Sequence, residues 1–257
     1  MHFYHAIILG TVEGIAEFLP ISSTGHLILT ARLLHIPASE FLKSFEIIIQ
    51  LGAIFSVMVL YWKKLFSDRA ALIRTLVAFI PTGILGLIFH VYVKQFLLGS
   101  SFVVVWALFF GGMALILLEW IPGDHDQGTG EIAQISWFKA ALIGIFQALA
   151  MIPGVSRSAA TIMGGMILGL KRETAVEFSF LLAIPTMLAA TGLDLVKSSG
   201  SFSHDQLVFL LEGFITSFIV AIISIKCLIH FIKHHTLVPF GIYRIIVALL
   251  FLLLIKS

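Results

Sequence analysis

The chain has 257 residues, of which 59% are hydrophobic and 12% are charged, and its formal net charge is +2. Soluble domains carry about 25% charged residues, so this composition excludes a soluble globular protein and indicates an integral membrane protein. The basic residues are scattered along the chain and form no patch for binding nucleic acid. The single cysteine, Cys227, excludes an internal disulfide.

The first half begins with two short apolar segments. A membrane-spanning helix needs about 20 apolar residues; residues 1–19 barely reach that length and contain Glu13 and Glu17, and residues 22–34 are too short. Pro20 separates the two segments. Such a pair is typical of a re-entrant hairpin, which is tolerated at membrane depth only when it is buried in protein or lines water. Three full spans are predicted next, at residues 45–62, 76–93 and 102–121.

A polar, glycine-rich linker follows at residues 122–136. It contains Asp124, His125 and Asp126, which are potential metal ligands, but a solvated loop is the favoured interpretation. The second half then repeats the order of a short segment, a Pro-Gly break, a second short segment and three spans, at residues 137–152, 153–154, 156–170, 175–196, 207–232 and 240–255.

The two halves match position by position, so we interpret residues 1–121 and 137–257 as repeats. The matching pairs are Gly10 with Gly144, Glu13 with Gln147, Pro20 with Pro153, and Ser23 with Ser156. Because each half holds three spans, like halves lie in opposite orientations, with a site near the membrane midplane. The predicted fold is an all-α polytopic membrane protein with six transmembrane helices and two re-entrant helical hairpins in an inverted-topology repeat, forming one domain over residues 1–257.

The distribution of lysine and arginine predicts the orientation in the membrane. With the loop at residues 63–74 placed in the cytoplasm, nine basic residues lie on that side and five on the other. Both termini and the mouth of the first hairpin then face away from the cytoplasm. Arg157 and Arg244 are left at membrane depth.

Glu13 and Glu17 lie four residues apart and therefore share one face of a helix. Two carboxylates in a low-dielectric environment repel each other unless a cation lies between them or one stays protonated. Carboxylate oxygens favour Mg²⁺ or Ca²⁺, so Glu13 and Glu17 are the candidate metal ligands. The alternative is a solvated pair near the membrane interface.

Ser22, Ser23, Thr24 and Gly25 begin a predicted helix directly after the first break. Free amide groups at a helix start, together with hydroxyls, form a cradle for phosphate. His26 follows Ser23 by one helical turn, which predicts base-assisted attack by the Ser23 hydroxyl, or His26 itself as nucleophile or acid. Helix capping is the alternative role of the hydroxyls, although it leaves the histidine unexplained.

Arg157 lies between Ser156 and Ser158 at the second predicted helix start, and Thr161 follows on the same face. A guanidinium group binds phosphate through a bidentate fork, so these four residues are candidate substrate contacts. A structural ion pair with a carboxylate of the first hairpin is the alternative for the arginine, and the two roles can coexist.

Further polar residues lie within the apolar spans. Hydrogen bonding between helices is the favoured interpretation for Glu46, Gln50, Gln147 and Glu177. Tyr243 and Arg244 are interpreted as lining either the cavity or an interface.

The combined set of carboxylates, a hydroxyl with a histidine, and an arginine suits a phosphorylated, membrane-borne substrate, because cleavage of a phosphoanhydride depends on charge neutralisation and a positioned nucleophile. Two motifs also resemble the signatures of bacterial undecaprenyl-diphosphatases of the bacitracin-resistance type. They are Glu-Gly-x-x-Glu-Phe-Leu-Pro-x-Ser-Ser-Thr-Gly-His at residues 13–26 and Pro-Gly-x-Ser-Arg-Ser at residues 153–158. The resemblance continues through residues 45–46, 177–185 and 239–244; one departure is Ala159, where many members have glycine.

The resemblance implies hydrolysis of undecaprenyl diphosphate, a polyprenyl diphosphate lipid, to the monophosphate carrier and phosphate, which recycles the carrier for peptidoglycan synthesis. It implies a bacterial inner-membrane protein with a divalent cation and a site facing the periplasm. It assigns Glu13 and Glu17 to the family's acidic motif, Ser23 and His26 to its catalytic hydroxyl and histidine, and Arg157 to its phosphate-binding arginine. Water activated by His26 or Glu17 is the alternative nucleophile.

Two rival functions use the same residues. A transporter or flippase of a lipid phosphate would share the inverted repeat and the charges. An intramembrane protease using Ser23 and His26 leaves the paired glutamates and Arg157 without a role. The sequence leaves a homodimer open.

Overall fold

The computed structural model describes residues 1–92, 100–121, 128–197 and 202–256. These residues form eleven α-helices: α1 Phe3–Ala16, α2 Ser23–Leu33, α3 Glu40–Leu60, α4 Trp62–Ser67, α5 Arg69–Tyr92, α6 Ser101–Trp120, α7 Trp137–Ala148, α8 Arg157–Ile167, α9 Arg172–Lys197, α10 His204–Ile232 and α11 Val238–Lys256. Five of them, α3, α5, α6, α9 and α10, are long and apolar enough to cross a membrane. The chain is therefore an all-helical, multi-pass membrane protein.

The predicted spans fall on these five helices and on α11, but their boundaries differ. The largest error is at α5, which begins at Arg69, whereas the sequence predicts a span that starts at residue 76. Asp68 Oδ1 accepts a hydrogen bond from Ala71 N at 2.9 Å and so caps the helix. Charged residues in the first turns made this stretch resemble a loop. In α11 the described apolar part covers only Val238–Leu253, which is shorter than any of the five long helices.

Glycines let the first helix of each half approach a long helix closely. A Cβ atom on Gly14 of α1 would lie 2.7 Å from the carbonyl oxygen of Ser217 in α10. A Cβ atom on Gly144 of α7 would collide with the carbonyl oxygen of Ala78 in α5. Small residues at helix crossings are typical of membrane proteins, because they bring backbones into contact. The close crossings fix the positions of the two breaks in the helices. The first break is residues 18–22, between Glu17 and α2, and the second is residues 149–156, between α7 and α8.

The two short helices, α2 and α8, have the same length and the same backbone geometry at their starts. Each has 11 residues and follows a residue with positive φ, Ser22 at 75° and Ser156 at 73°. The predicted match of Ser23 with Ser156 is therefore wrong by one residue, and Ser23 corresponds instead to Arg157. The error arose because the prolines were aligned: Pro20 and Pro153 lie 133 residues apart, whereas Ser22 and Ser156, like Gly10 and Gly144, lie 134 apart, and two adjacent serines allowed the shifted match.

The described part of the predicted linker, residues 128–136, packs against the turn before α9. Backbone hydrogen bonds join Thr129 to Gly169 and Lys171, and the side chain of Ile135 is fully buried. This part of the linker is thus docked on the protein. The remainder, with Asp124, His125 and Asp126, lies outside the described residues.

The largest apolar cluster among the described residues includes Phe18 of the first break and side chains of α3, α7, α8, α9 and α10. Phe18, in the first break, packs edge-on against Phe180 of α9 with ring centroids 5.5 Å apart. Burial of a phenylalanine side chain contributes about 1.5 to 3 kcal/mol. This packing holds the first break against α9 and so places the polar residues on either side of Phe18.

Candidate active site

Arg244 of α11 joins the two breaks. Its side chain is fully buried, and its guanidinium donates to five backbone carbonyls at 3.0 to 3.3 Å. The acceptors are Pro20, Gly154 and Val155 in the breaks, and Ala107 and Leu108 in α6. No carboxylate is among these acceptors, so carbonyl dipoles stabilise the charge. Arg244 therefore holds the two breaks side by side. Because its side chain is fully buried, it lies at an interface between elements and does not line a cavity.

Glu17, directly before the first break, contacts residues of both hairpins. Its Oε2 accepts a hydrogen bond from Ser23 Oγ at 2.7 Å, and its Oε1 accepts one from Arg157 Nη2 at 3.2 Å. The side chains of Arg157 and Glu17 are only 9% and 4% exposed. A buried charge pair needs such geometry to offset the cost of desolvation. The structure thus brings together three of the predicted catalytic residues.

Ser179 of α9 is a further member of the site. Arg157 Nη1 donates to its carbonyl oxygen at 2.8 Å and lies 3.3 Å from its hydroxyl. Thr161 Oγ1 lies 2.6 Å from the same hydroxyl. These contacts orient the guanidinium from the side opposite Glu17. Arg157 Nε is buried and has no hydrogen-bond partner within the described part of the chain, so this donor is unsatisfied.

Glu13 lies one helical turn before Glu17 and is fully buried. No donor group of the described residues reaches its carboxylate oxygens, and the carboxylate of Glu17 lies within hydrogen-bonding range. It lies within electrostatic range of Glu17 and Glu46, which carry like charge, and of Arg157. A buried carboxylate without a partner is costly, and a cation beside it would remove that cost. No group of three or more histidine, cysteine, aspartate or glutamate residues within the described ranges is placed to hold a metal.

His26 contacts residues other than Ser23. Its Nδ1 lies 2.7 Å from the carbonyl oxygen of Ser22, and its Nε2 lies 2.8 Å from the hydroxyl of Tyr243. A carbonyl only accepts, so Nδ1 carries the proton and Nε2 of the neutral ring accepts from Tyr243. The two rings are also stacked, with centroids 5.5 Å apart. In this structure His26 therefore makes no hydrogen bond to Ser23, whose partner is Glu17, and the role of His26 as its base stays a prediction.

The side chains of the second break that were predicted to bind phosphate form hydrogen bonds with other groups of the protein. Ser156 Oγ accepts from Ala159 N at 3.2 Å, and Ser158 Oγ donates to the carbonyl oxygen of Leu19 at 2.8 Å. Thr161 is occupied by Ser179, as described above. The hydrogen bond of Ser158 joins the second break to the first hairpin. The observed role of Ser156 is helix capping.

In the first cradle, only some predicted residues face open space. Thr24 is exposed, whereas Ser22 is buried and its side chain makes no capping hydrogen bond. A Cβ atom on Gly25 would meet Leu108 at 3.3 Å, so this glycine packs against α6. Of these residues, Thr24 is thus the accessible part of the cradle.

The sequence did not indicate Ser179, and it left the role of Tyr243 undecided. Neither residue type is unusual within a span, and each finds its partner through helix packing across distant segments. The sequence Glu177-Phe-Ser-Phe, part of the family resemblance, was the one available signal for Ser179.

Sequence comparisons show which known proteins are similar to this chain. The family described as bacitracin resistance protein BacA matches residues 6–250. The undecaprenyl-diphosphatase of Aquifex aeolicus is 52% identical over 248 residues, which are 96% of each chain. The undecaprenyl-diphosphatase of Wolinella succinogenes is 50% identical over 98% of each chain, and that of Persephonella marina is 47% identical over 99% of this chain and 100% of its own. The chain therefore belongs to the bacitracin resistance protein BacA family.

Proposed function

We propose that this chain is an undecaprenyl-diphosphatase, which hydrolyses undecaprenyl diphosphate to undecaprenyl phosphate and inorganic phosphate. The observation that carries the proposal is the contact of Glu17 with both Ser23 and Arg157, because it joins a hydroxyl, a base and a phosphate-binding cation in one buried site. The relatives carry this enzyme name over nearly their full lengths. The reaction recycles the lipid carrier for cell-wall synthesis.

In this proposal Ser23 is the nucleophile and Glu17 is its general base. Ser23 Oγ attacks the terminal phosphorus while its proton passes to Glu17 Oε2, 2.7 Å away. The bond from that phosphorus to the bridging oxygen breaks, and undecaprenyl phosphate leaves. Water then attacks the phosphoserine, Glu17 returns the proton to Ser23 Oγ, and inorganic phosphate is released.

Arg157 binds the oxygens of the transferring phosphoryl group. Its guanidinium is held by Ser179 and Glu17, and its Nε is free of partners within the described ranges. A preorganised cation in a site with little water stabilises developing charge strongly. His26, held by Tyr243, borders the site and positions the substrate.

A divalent cation, Mg²⁺ or Ca²⁺, fits beside Glu13 and Glu17. Glu13 is the principal proposed ligand, because its oxygens are buried without hydrogen bonds in the described structure while both oxygens of Glu17 are engaged. Protein sites often hold Mg²⁺ through one or two carboxylates together with substrate phosphates. When bound, the cation would neutralise part of the diphosphate charge.

The proposed topology is six spans with two re-entrant hairpins, arranged as inverted repeats over residues 1–121 and 137–257 in the inner membrane. The packing supports it, because α1 packs on α10 as its counterpart α7 packs on α5. The equal geometry of α2 and α8 supports it as well. With the basic stretch at residues 63–74 in the cytoplasm, the site opens towards the periplasm.

Phosphate release from a long-chain prenyl diphosphate by purified protein in detergent tests the function. We expect release that stops when a chelator removes divalent cations and returns when Mg²⁺ or Ca²⁺ is added back. A flippase has no flux to catalyse in detergent micelles, so absence of release with every metal would contradict the enzyme and return attention to transport.

A further inference from the structure

A groove of about 570 Å³ lies between α1, α10, α11 and the first break. Its walls are mainly apolar and include Ile15, Leu19, Leu228 and Phe240. Pockets that bind ligands usually have volumes of about 300 to 1,000 Å³. None of Glu17, Ser23 and Arg157 lines this groove.

The groove is continuous with the polar site. Leu19 and Ile21, which line it, belong to the same short segment that joins Glu17 to Ser23. Tyr243 lines it as well, and its hydroxyl contacts His26 at 2.8 Å. A molecule that occupies both spaces therefore has a polar end at Ser23 and an apolar part against these side chains.

We propose that this groove binds the isoprene units next to the diphosphate of the substrate, an inference that rests on the proposed function. The substrate class has a doubly phosphorylated head joined directly to a long apolar chain. With the head at Ser23 and Arg157, the chain must leave through an apolar wall. The groove supplies that wall, and it opens to the bilayer beside Ile223, whose side chain is 56% exposed.

Tyr243 forms the border between the two regions. Its ring lines the groove, and its hydroxyl binds His26, so one side chain contacts both the apolar chain and the polar end of the substrate. Tyrosine suits such a border because its body is apolar and its tip is polar. This position makes Tyr243 a determinant of where the first isoprene unit begins.

The only cysteine of the chain provides a direct probe. Cys227 lines the groove and is exposed. We would measure its alkylation by N-ethylmaleimide in Ser23→Ala protein, so that substrate binds without turnover. At ten times its dissociation constant, undecaprenyl diphosphate is expected to slow alkylation about tenfold, whereas inorganic diphosphate leaves the rate unchanged.

A matched control separates the groove from general coverage by lipid. In a Cys227→Ser, Ile84→Cys variant the thiol moves to α5, no residue of which lines the groove, at a position where the native side chain is 54% exposed. We expect no protection at that position. Equal protection at both positions, or none at Cys227 while undecaprenyl diphosphate is shown to bind, would overturn the proposal.

Groove-filling variants provide a second, kinetic readout. Cys227→Trp is expected to raise KM for a long-chain prenyl diphosphate while kcat at saturation stays near wild type. Ile84→Trp, at an exposed position of α5 outside the groove, is expected to leave both unchanged. An unaltered KM in a folded Cys227→Trp protein would contradict the groove. Lack of phosphate release by the wild type would instead contradict the proposed function, so the two failures are distinguishable.

Discussion

At the scale of single residues, Glu17 is the most constrained group in the site. One carboxylate oxygen accepts from Ser23 at 2.7 Å and the other from Arg157 at 3.2 Å. Replacing the carboxylate removes the proposed base of Ser23 and leaves Arg157 as a buried charge without its counter-ion. Breaking a buried charge pair costs about 3 to 5 kcal/mol. Activity and stability should therefore both respond at this position.

We expect Glu17→Gln to reduce kcat by about 10³-fold, because a general base contributes roughly 10²- to 10⁴-fold. The measurement is steady-state phosphate release, normalised to folded protein. Glu119→Gln is the matched control, because Glu119 forms a buried ion pair with Arg172 at 2.8 Å away from the site. It should lower Tm in detergent and retain kcat. Equal loss of kcat in both variants would show that Glu17 acts only through stability.

His26→Asn should impair activity less than Glu17→Gln. The asparagine amide can still donate to the carbonyl of Ser22, and in this structure His26 makes no contact with the Ser23 hydroxyl. Rates for both variants, measured under single-turnover conditions, provide the comparison. If His26→Asn were as inactive as Glu17→Gln, His26 would be the base for Ser23 and the assignment made here would be wrong.

The residues that could be predicted from the sequence are those whose charge is out of place in an apolar chain. Glu13, Glu17 and Arg157 stood out for this reason. The partner of His26 could not be predicted, because spacing along a helix places two residues on one face but does not determine side-chain direction. The ring instead lies against Tyr243, a residue of α11 that only the tertiary fold brings close.

At the scale of the helical elements, the two breaks depend on Arg244. It donates to carbonyls of both breaks, where the chain leaves regular helix, and to two carbonyls within α6. The carbonyls of the breaks lack partners from regular helix and need another donor. A Cβ atom on Gly111 of α6 would collide with the guanidinium, so this glycine provides its space.

We expect Arg244→Met to lower the free energy of unfolding by about 3 kcal/mol or more, because unsatisfied buried acceptors cost about 1 to 3 kcal/mol each. Arg244→Lys should fall between this variant and the wild type, since an ammonium reaches fewer carbonyls. Thermal unfolding in detergent gives the order. A Tm for Arg244→Met equal to that of the wild type would refute the joining role.

Gly144→Val should destabilise the crossing of α7 and α5 by about 1 to 3 kcal/mol, since the added side chain meets the backbone of Ala78. Gly192→Val is the matched control, because a Cβ atom at that position of α9 has no neighbour within 4 Å. The two Tm values, measured side by side, provide the test. Similar Tm shifts in both variants would mean that backbone contact at Gly144 is unimportant.

At the scale of the whole molecule, the all-helical membrane fold followed from composition and from the lengths of apolar segments. Apart from the short helix α4, the order of short and long helices was also predicted, because helices of 11 to 14 residues differ clearly from helices of 19 or more. The alignment of the breaks was wrong by one residue, since two adjacent serines permit two registers and only backbone geometry distinguishes them. The docking of residues 128–136 was missed because turn-forming composition does not show what a loop packs against.

The most direct test of the central claim is an acid-quenched single turnover with a prenyl diphosphate radiolabelled on its terminal phosphorus. For the wild type we expect the label to appear on Ser23 before it appears as free phosphate, and for Ser23→Ala we expect neither species. Phosphate released by Ser23→Ala at the wild-type rate would contradict the claim and would make water, activated by Glu17, the nucleophile.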